Sequence, residues 1–278
     1  MQTLKLKGCL KLLRLPKGLS NLINLRHLDV DVSCLLVSMP PRFGNLVELQ
    51  TLPAFVVGKE NGCQVTELNK MMKLWGTFRL LRLENVSSSK EAEEAALDQK
   101  KNLNKLEFHW TELQDGLEFY GRDNVARVQD FEYNIGKRSD HDTFVAFPTL
   151  EYLTLKGMSS LEEWSGLKKL DFTNLQKLNV SGCPKLAILP KLSHLMCLKI
   201  LDISLCPSLK SLPDKGLPNS IQSLVIIDCP VLKDWCNKDG GHYWRNTLNI
   251  PNVWIDYQQI SQEGENRNDE VATTSSTL

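Results

Sequence analysis

Cys229, Cys236 and His242 are the residues whose types could best hold a zinc ion, yet no C-x-x-C pair accompanies them. Structural zinc sites draw four Cys or His ligands at short paired spacings, so packing is the simpler reading of these three. Asp140, His141 and Asp142 could touch a cation, but adjacent loop residues rarely converge on one ion, and a solvated charged loop accounts for them. The five histidines lack a nucleophile-and-base context. No G-x-x-x-x-G-K-[ST] phosphate loop occurs, since Gly58-Lys59 is followed by Glu60. The chain is therefore expected to be no enzyme and to need neither metal nor cofactor.

The cysteines become intelligible through the elements that must place them. Four blocks beginning at Leu150, Leu175, Leu198 and Ile221 repeat one text at intervals of 25, 23 and 23 residues; LQKLNVSGCPKLAILP is the second of them. Near the N-terminus Leu4, Leu28 and Leu52 keep an interval of 24. Eleven residues after the second leucine of a unit stands another apolar residue: Leu15, Met39, Trp164, Leu189, Leu212 and Trp235. A period of roughly 20 to 29 residues carrying L-x-x-L-x-L-x-x-N/C-x-L is the leucine-rich repeat signature.

The pattern predicts one short strand per turn of a coil, with alternating leucines inward and the residues between them outward. No unit buries its apolar side alone, so neighbours must stack on one continuous core. The expected fold is α/β: a leucine-rich-repeat solenoid, or horseshoe, with a curved parallel β-sheet on the concave face and short irregular or helical convex segments. Cys9, Cys183, Cys206 and Cys229 fall at the N/C position, with Cys34 one residue late. There a small buried thiol can act as a weak donor under the turn. Pro184, Pro207 and Pro230 follow and should stop the strand.

Eight cysteines in a secreted chain would suggest disulfides; in this pattern the ladder cysteines read as reduced packing residues. Met1 is followed directly by repeat sequence without a cleavage-site pattern, and no apolar run reaches the length of a membrane span. A cytoplasmic location follows, with Asn85 and Asn179 unmodified. Formal charge is zero, 33 basic against 33 acidic residues, so neither nucleic acid nor membrane is an expected partner. Locally, Lys5, Lys7, Lys11, Arg14 and Lys17 crowd the first turn as either a solvated edge or a docking patch for an acidic partner.

Four regions are expected. Residues 1–110 hold N-terminal repeats with an irregular insert at 53–73, a strand around 78–83 and one helix at about 89–101, opened by Ser88 three before Glu91. Residues 111–146 lose the pattern and mark missing repeats or a functional insertion. Residues 147–258 carry the C-terminal repeats and cap, and 259–278 a disordered polar tail.

The runs LPKGLSNLINLRHLDV, LQTLPAFVVGK and ELNKMMKLWGTFRLLRLENV, then a KEAEEA helix, LNKLEFHW and the closing DCPVLKDWC…NIPNVWID, resemble the repeat region of plant coiled-coil NB-LRR disease-resistance proteins. The resemblance covers residues 1 to about 257. It departs at Asn249, where the family usually has histidine, and at 111–120, where several family repeats are missing between Trp110 and Glu118, which reads as an internal deletion. It implies the recognition module of an intracellular immune receptor, sensing a pathogen effector or a host protein and restraining a nucleotide-binding switch in full-length relatives. Adaptor repeats of an F-box ubiquitin ligase, or a truncated product without activity of its own, remain open alternatives. The phosphate-loop module of the family is not found in this chain.

Recognition would then fall on the outward strand positions. Arg26, His27, Asp29, Tyr152, Thr154, Lys156, Lys177, Asn179, Lys199, Asp202, Gln222 and Val225 are the expected partner-binding residues, with Tyr152 as anchor because aromatics dominate hot spots. Val225 and Ile227, apolar at outward positions, could instead be covered by the C-terminal cap.

Overall fold

The computed structural model describes residues 1–9, 11–31, 36–110, 146–164, 167–213, 217–237 and 249–260. Eleven strands are found among them: β1 (Thr3–Leu6), β2 (His27–Val30), β3 (Ala54–Val56), β4 (Trp75–Leu81), β5 (Asn102–His109), β6 (Tyr152–Lys156), β7 (Lys177–Ser181), β8 (Ile200–Ser204), β9 (Ser223–Ile227), β10 (Asn252–Ile255) and β11 (Gln258–Gln259). β1 and β2 form a parallel pair, and β3 to β11 form one sheet in chain order. All its pairings are parallel except the closing β10–β11 hairpin. One strand per repeat, laid beside the last, is the leucine-rich-repeat solenoid.

Alternation in the sequence becomes two buried columns. Leu106, Leu153, Leu178, Leu201, Leu224 and Val253 stand in register in one, and Phe108, Leu155, Val180, Ile203, Ile226 and Ile255 in the other. Each such side chain contributes on the order of 1.5 to 3 kcal/mol by leaving water, so stacking dominates stability. The residues expected eleven places on are buried too, except Trp235, which is half-buried on the helix α2 (Pro230–Asn237). Pro230 starts that helix rather than merely ending a strand; its missing N–H costs nothing in a first helical turn.

The irregular insert contains what its sequence hid. β3 lies within it, followed by a single 3-10 turn at Val65–Leu68. Pro53 separates β3 from the bridge His27–Thr51, and its lack of an N–H explains why the sheet is interrupted there. The expected strand at 78–83 runs instead from Trp75 to Leu81, and Leu83 is buried in a 3-10 turn, Leu83–Asn85. The expected helix is shorter: α1 spans Ser89–Glu94, capped by Ser88 Oγ, which accepts from the Glu91 N–H at 3.2 Å. Ala96 at φ 47 ends it, and a 3-10 turn follows at Leu97–Gln99. β5 and β6 are hydrogen-bonded neighbours, so the strands flanking the pattern-free stretch continue one sheet. Residues 111–145, 261–278, Cys34 and His242 lie outside the described residues, and with them Asp140, His141, Asp142 and the expected tail.

After β6 to β10 the chain turns through a left-handed residue. Glycine serves at Gly157 and Gly182 (φ 77 and 65), but Leu205, Asp228 and Asp256 adopt the same conformation at φ 55, 53 and 44.

Candidate concave interface

Alternation sends every second strand residue to the concave face, and the parallel register lines these residues up across strands. The first row reads Lys105, Tyr152, Lys177, Ile200, Ser223, Asn252. The second reads Arg79, Glu107, Thr154, Asn179, Asp202, Val225, Trp254, and the third His109, Lys156, Ser181, Ser204, Ile227. Neighbours in a row are held about 4.8 Å apart by the sheet itself.

Several polar members are tied to one another. Lys105 Nζ approaches Glu107 Oε1 at 2.7 Å, and His109 Nε2 lies 3.1 Å from Glu107 Oε2. The hydrogen bond from His109, and behind it the Lys105 ammonium, hold the Glu107 carboxyl down to about 2 against the opposing effect of burial. Lys177 Nζ sits 3.7 Å from Asp202 Oδ2, and Ser204 donates to Ser181 Oγ at 2.9 Å. Asn179 Oδ1 is buried with no hydrogen-bond partner among the described residues, an arrangement that costs about 1 to 3 kcal/mol until a donor is supplied. Tyr152 and Trp254 are the exposed aromatics of these rows, four strands apart, with the half-buried Ile200, Val225 and Ile227 in the strands between.

The expected recognition residues divide accordingly. Tyr152, Thr154, Lys156, Lys177, Asn179, Asp202 and Val225 lie in the rows. Arg26, Lys199 and Gln222 do not; they precede their strands at the rim, exposed, where their backbone N–H groups continue the ladder to Gln2, Gln176 and Lys199 carbonyls, each at 2.8 Å. His27 and Asp29 belong to β2, outside the main sheet, and His27 Nδ1 is engaged with Thr51 Oγ1 at 3.1 Å. Among the described residues the cap lies beside Val225 rather than over it: β10 extends the sheet next to β9 and adds Trp254 next to Val225 in the second row. Arg79, Lys105, Glu107, His109, Ile200 and Trp254 were missed by the sequence reading. Parity counted from Phe78, Leu106 and Val253 would have found all but Ile200, an isoleucine that reads as core until its register with Lys177 is known.

The basic residues Lys5, Lys7, Lys11, Arg14 and Lys17 are all exposed, and none forms an ion pair among the described residues. Cys183, Cys206 and Cys229 form the expected buried column, as free thiols. The Cys206 and Cys229 thiols donate to the carbonyls of Ser204 and Ile227 at 3.3 Å, and the Cys206 N–H reaches Cys229 Sγ at 3.4 Å. The Cys183 thiol and burial push Cys206 up to about 12; the Cys206 thiol and burial push Cys229 up as well. Burial pushes Cys236 to about 11, so neither zinc candidate offers a ready thiolate. Cys9 breaks the expectation of a buried thiol: it is exposed. No group of three His, Cys, Asp or Glu residues suited to a metal occurs among the described residues, and no helix there is long and apolar enough to cross a membrane.

Comparison with known proteins gives consistent relatives. The "Putative disease resistance protein RGA4" of Solanum bulbocastanum is 32% identical over 199 residues, 72% of this chain and 18% of that protein. The "Putative disease resistance protein RGA1" of the same plant is 30% identical over 166 residues, covering 60% and 15%. "Disease resistance protein RGA2" is 29% identical over 158 residues, covering 57% and 15%. The chain thus spans less than a fifth of the length of each of these. Residues 65–206, just over half of the chain, match the sequence model described as "R13L1/DRL21 LRRs", and the chain belongs to that leucine-rich-repeat family.

Proposed function

We propose that this chain is a protein-recognition module of a plant immune receptor, and that the concave rows are its binding surface. The observation that carries this reading is the set of three outward rows on a rigid sheet, with two exposed aromatics and a buried, unpartnered Asn179 acceptor among paired charges. Repeats present such arrays at fixed spacing without reorganisation, which suits protein contact. The relatives, named as disease-resistance proteins, supply the biological setting, and the recognised protein is a pathogen effector or a host protein. The exposed basic cluster from Lys5 to Lys17 serves as the contact to an acidic face of the nucleotide-binding part of a full-length receptor, restraining it. The module works in the cytoplasm and catalyses nothing.

Two measurements test this. Extracts of challenged leaf tissue are passed over the immobilised chain and over a Tyr152→Ala/Trp254→Ala form; identical captured proteins would remove the concave face from recognition. Co-purification with the nucleotide-binding module of a relative is expected to fail at raised salt and after charge reversal at Lys5, Lys7 and Lys11, because exposed charges are screened within about 8 Å at physiological ionic strength. A complex indifferent to both would end the docking reading.

A further inference from the structure

A second surface lies on the rim, away from the concave rows. Ile23, Val47 and Met72 occupy the same place in three consecutive units, each two residues before a core leucine (Leu25, Leu49, Leu74), and each is exposed. The units are stacked directly: the Gln50 N–H donates to the Arg26 carbonyl at 2.8 Å, and the Trp75 N–H to the Gln50 carbonyl at 3.0 Å. The three side chains therefore form a stripe. Trp75, 49% exposed, stands three residues beyond Met72 at the start of β4. The stripe ends at the next unit, where the same place holds Lys101. Solvation does not account for three apolar residues at an exposed position of the repeat, and contiguous exposed apolar surface marks interaction sites.

The surroundings state what would cover it. Ile23, Val47 and Met72 sit in turns, so this rim offers no strand edge, and an added strand would leave its own backbone groups unpaired. A helix satisfies its backbone internally, and its pitch of about 5.4 Å nearly matches the repeat step of about 4.8 Å over three units. Two carboxylates on these units are already engaged: Glu48 by Lys73 at 2.6 Å, and Glu67 by the Gly44 N–H at 2.8 Å. Exposed Arg26 and Lys70 have no ion-pair partner among the described residues. We infer that this rim binds an amphipathic helix of a partner protein, its apolar side chains on Ile23, Val47 and Met72 and its flanks acidic. This site does not depend on the concave face.

Titration of the full chain with a fluorescently labelled synthetic helix, leucines at i, i+4 and i+7 with glutamate flanks, tests the inference by anisotropy. Controls are a lysine-flanked counterpart and a proline-interrupted glutamate peptide. The glutamate helix is expected to bind, and both controls to bind at least about tenfold more weakly; Val47→Asp, and independently Met72→Gln, should weaken it by about tenfold, the loss of one anchor. Tyr152→Ala should leave binding unchanged, which separates this site from the concave reading. No binding of the glutamate helix, equal binding of either control, or wild-type affinity in both rim variants would overturn the proposal.

Discussion

Lys100 occupies a place that other units give to apolar residues. Leu46, Met71, Phe147, Phe172 and Leu195 each stand three residues before a core leucine and are buried, and Lys100 stands three before Leu103 with 0% exposure. Its Nζ donates to the Leu68 carbonyl at 2.8 Å, and burial lowers its pKa from 10.5 to about 8. That shift of ~2.5 units corresponds to ~3 kcal/mol of destabilisation while the group is charged. Between pH 8 and 10.5 the unfolded chain binds the proton that the folded chain has released, so stability rises with pH through this window. The penalty is fully present below about pH 8 and gone above 10.5. Lys100→Met removes the charge but strands the Leu68 carbonyl, at a cost of ~1 to 2 kcal/mol. At pH 7 the variant should be more stable by ~1 to 2 kcal/mol, and near pH 10.5 less stable by a similar amount. Urea unfolding of both proteins at pH 7, 8, 9 and 10 under reducing conditions reads the difference, with Lys70→Met at an exposed position as a control that should show no such trend. A stability difference that stays constant across these pH values would refute the assignment of Lys100 as a desolvated cation.

Three further outcomes follow from the geometry. Leu201→Asp, which buries an unpaired charge, should cost more than about 4 kcal/mol in denaturant unfolding, whereas Lys199→Asp at the exposed rim should stay within about 0.5 kcal/mol; equal effects would contradict the inward and outward assignment. Leu205→Gly should raise stability by about 0.5 to 1 kcal/mol, because leucine at φ 55 carries a left-handed penalty that glycine lacks; a loss of thermal stability would sink this reading. Glu107, held down to about 2, contributes stability that is present above about pH 4.5 and lost as pH falls toward 2. Acid titration should therefore cost the wild type ~3 kcal/mol relative to Glu107→Gln over that interval, and parallel acid curves would show that the His109–Glu107–Lys105 cluster does not form.

The C-terminal repeats were the most legible part of the chain, because the last three units carry the same cysteine-proline step after their inward apolar residues, and the columns through Leu178, Leu201 and Leu224 follow from period alone. The centre was harder. β3 is short and buried along its whole length, so Ala54–Val56 shows no alternation to read. The helix after Ser88 was foreseen from its cap, but its length was not: Ala96, a residue with high helix propensity, ends it by adopting φ 47 where Leu97 must turn into the core. The concave interface was half legible. Polar outward residues such as Asn179 and Asp202 announce themselves, whereas Ile200 looks like core until its register with Lys177 sends it outward.

By itself the sequence determined the repeat, its single strand per unit and the identity of the buried columns, because a recurring apolar pattern has only one way to hide from water in a stack. Which outward residues stand side by side, why Lys100 lies buried in an apolar column, and that Ile23, Val47 and Met72 join into one stripe were decided by tertiary structure. Those relations link residues about one repeat apart, and they exist only once register and stacking bring the units together.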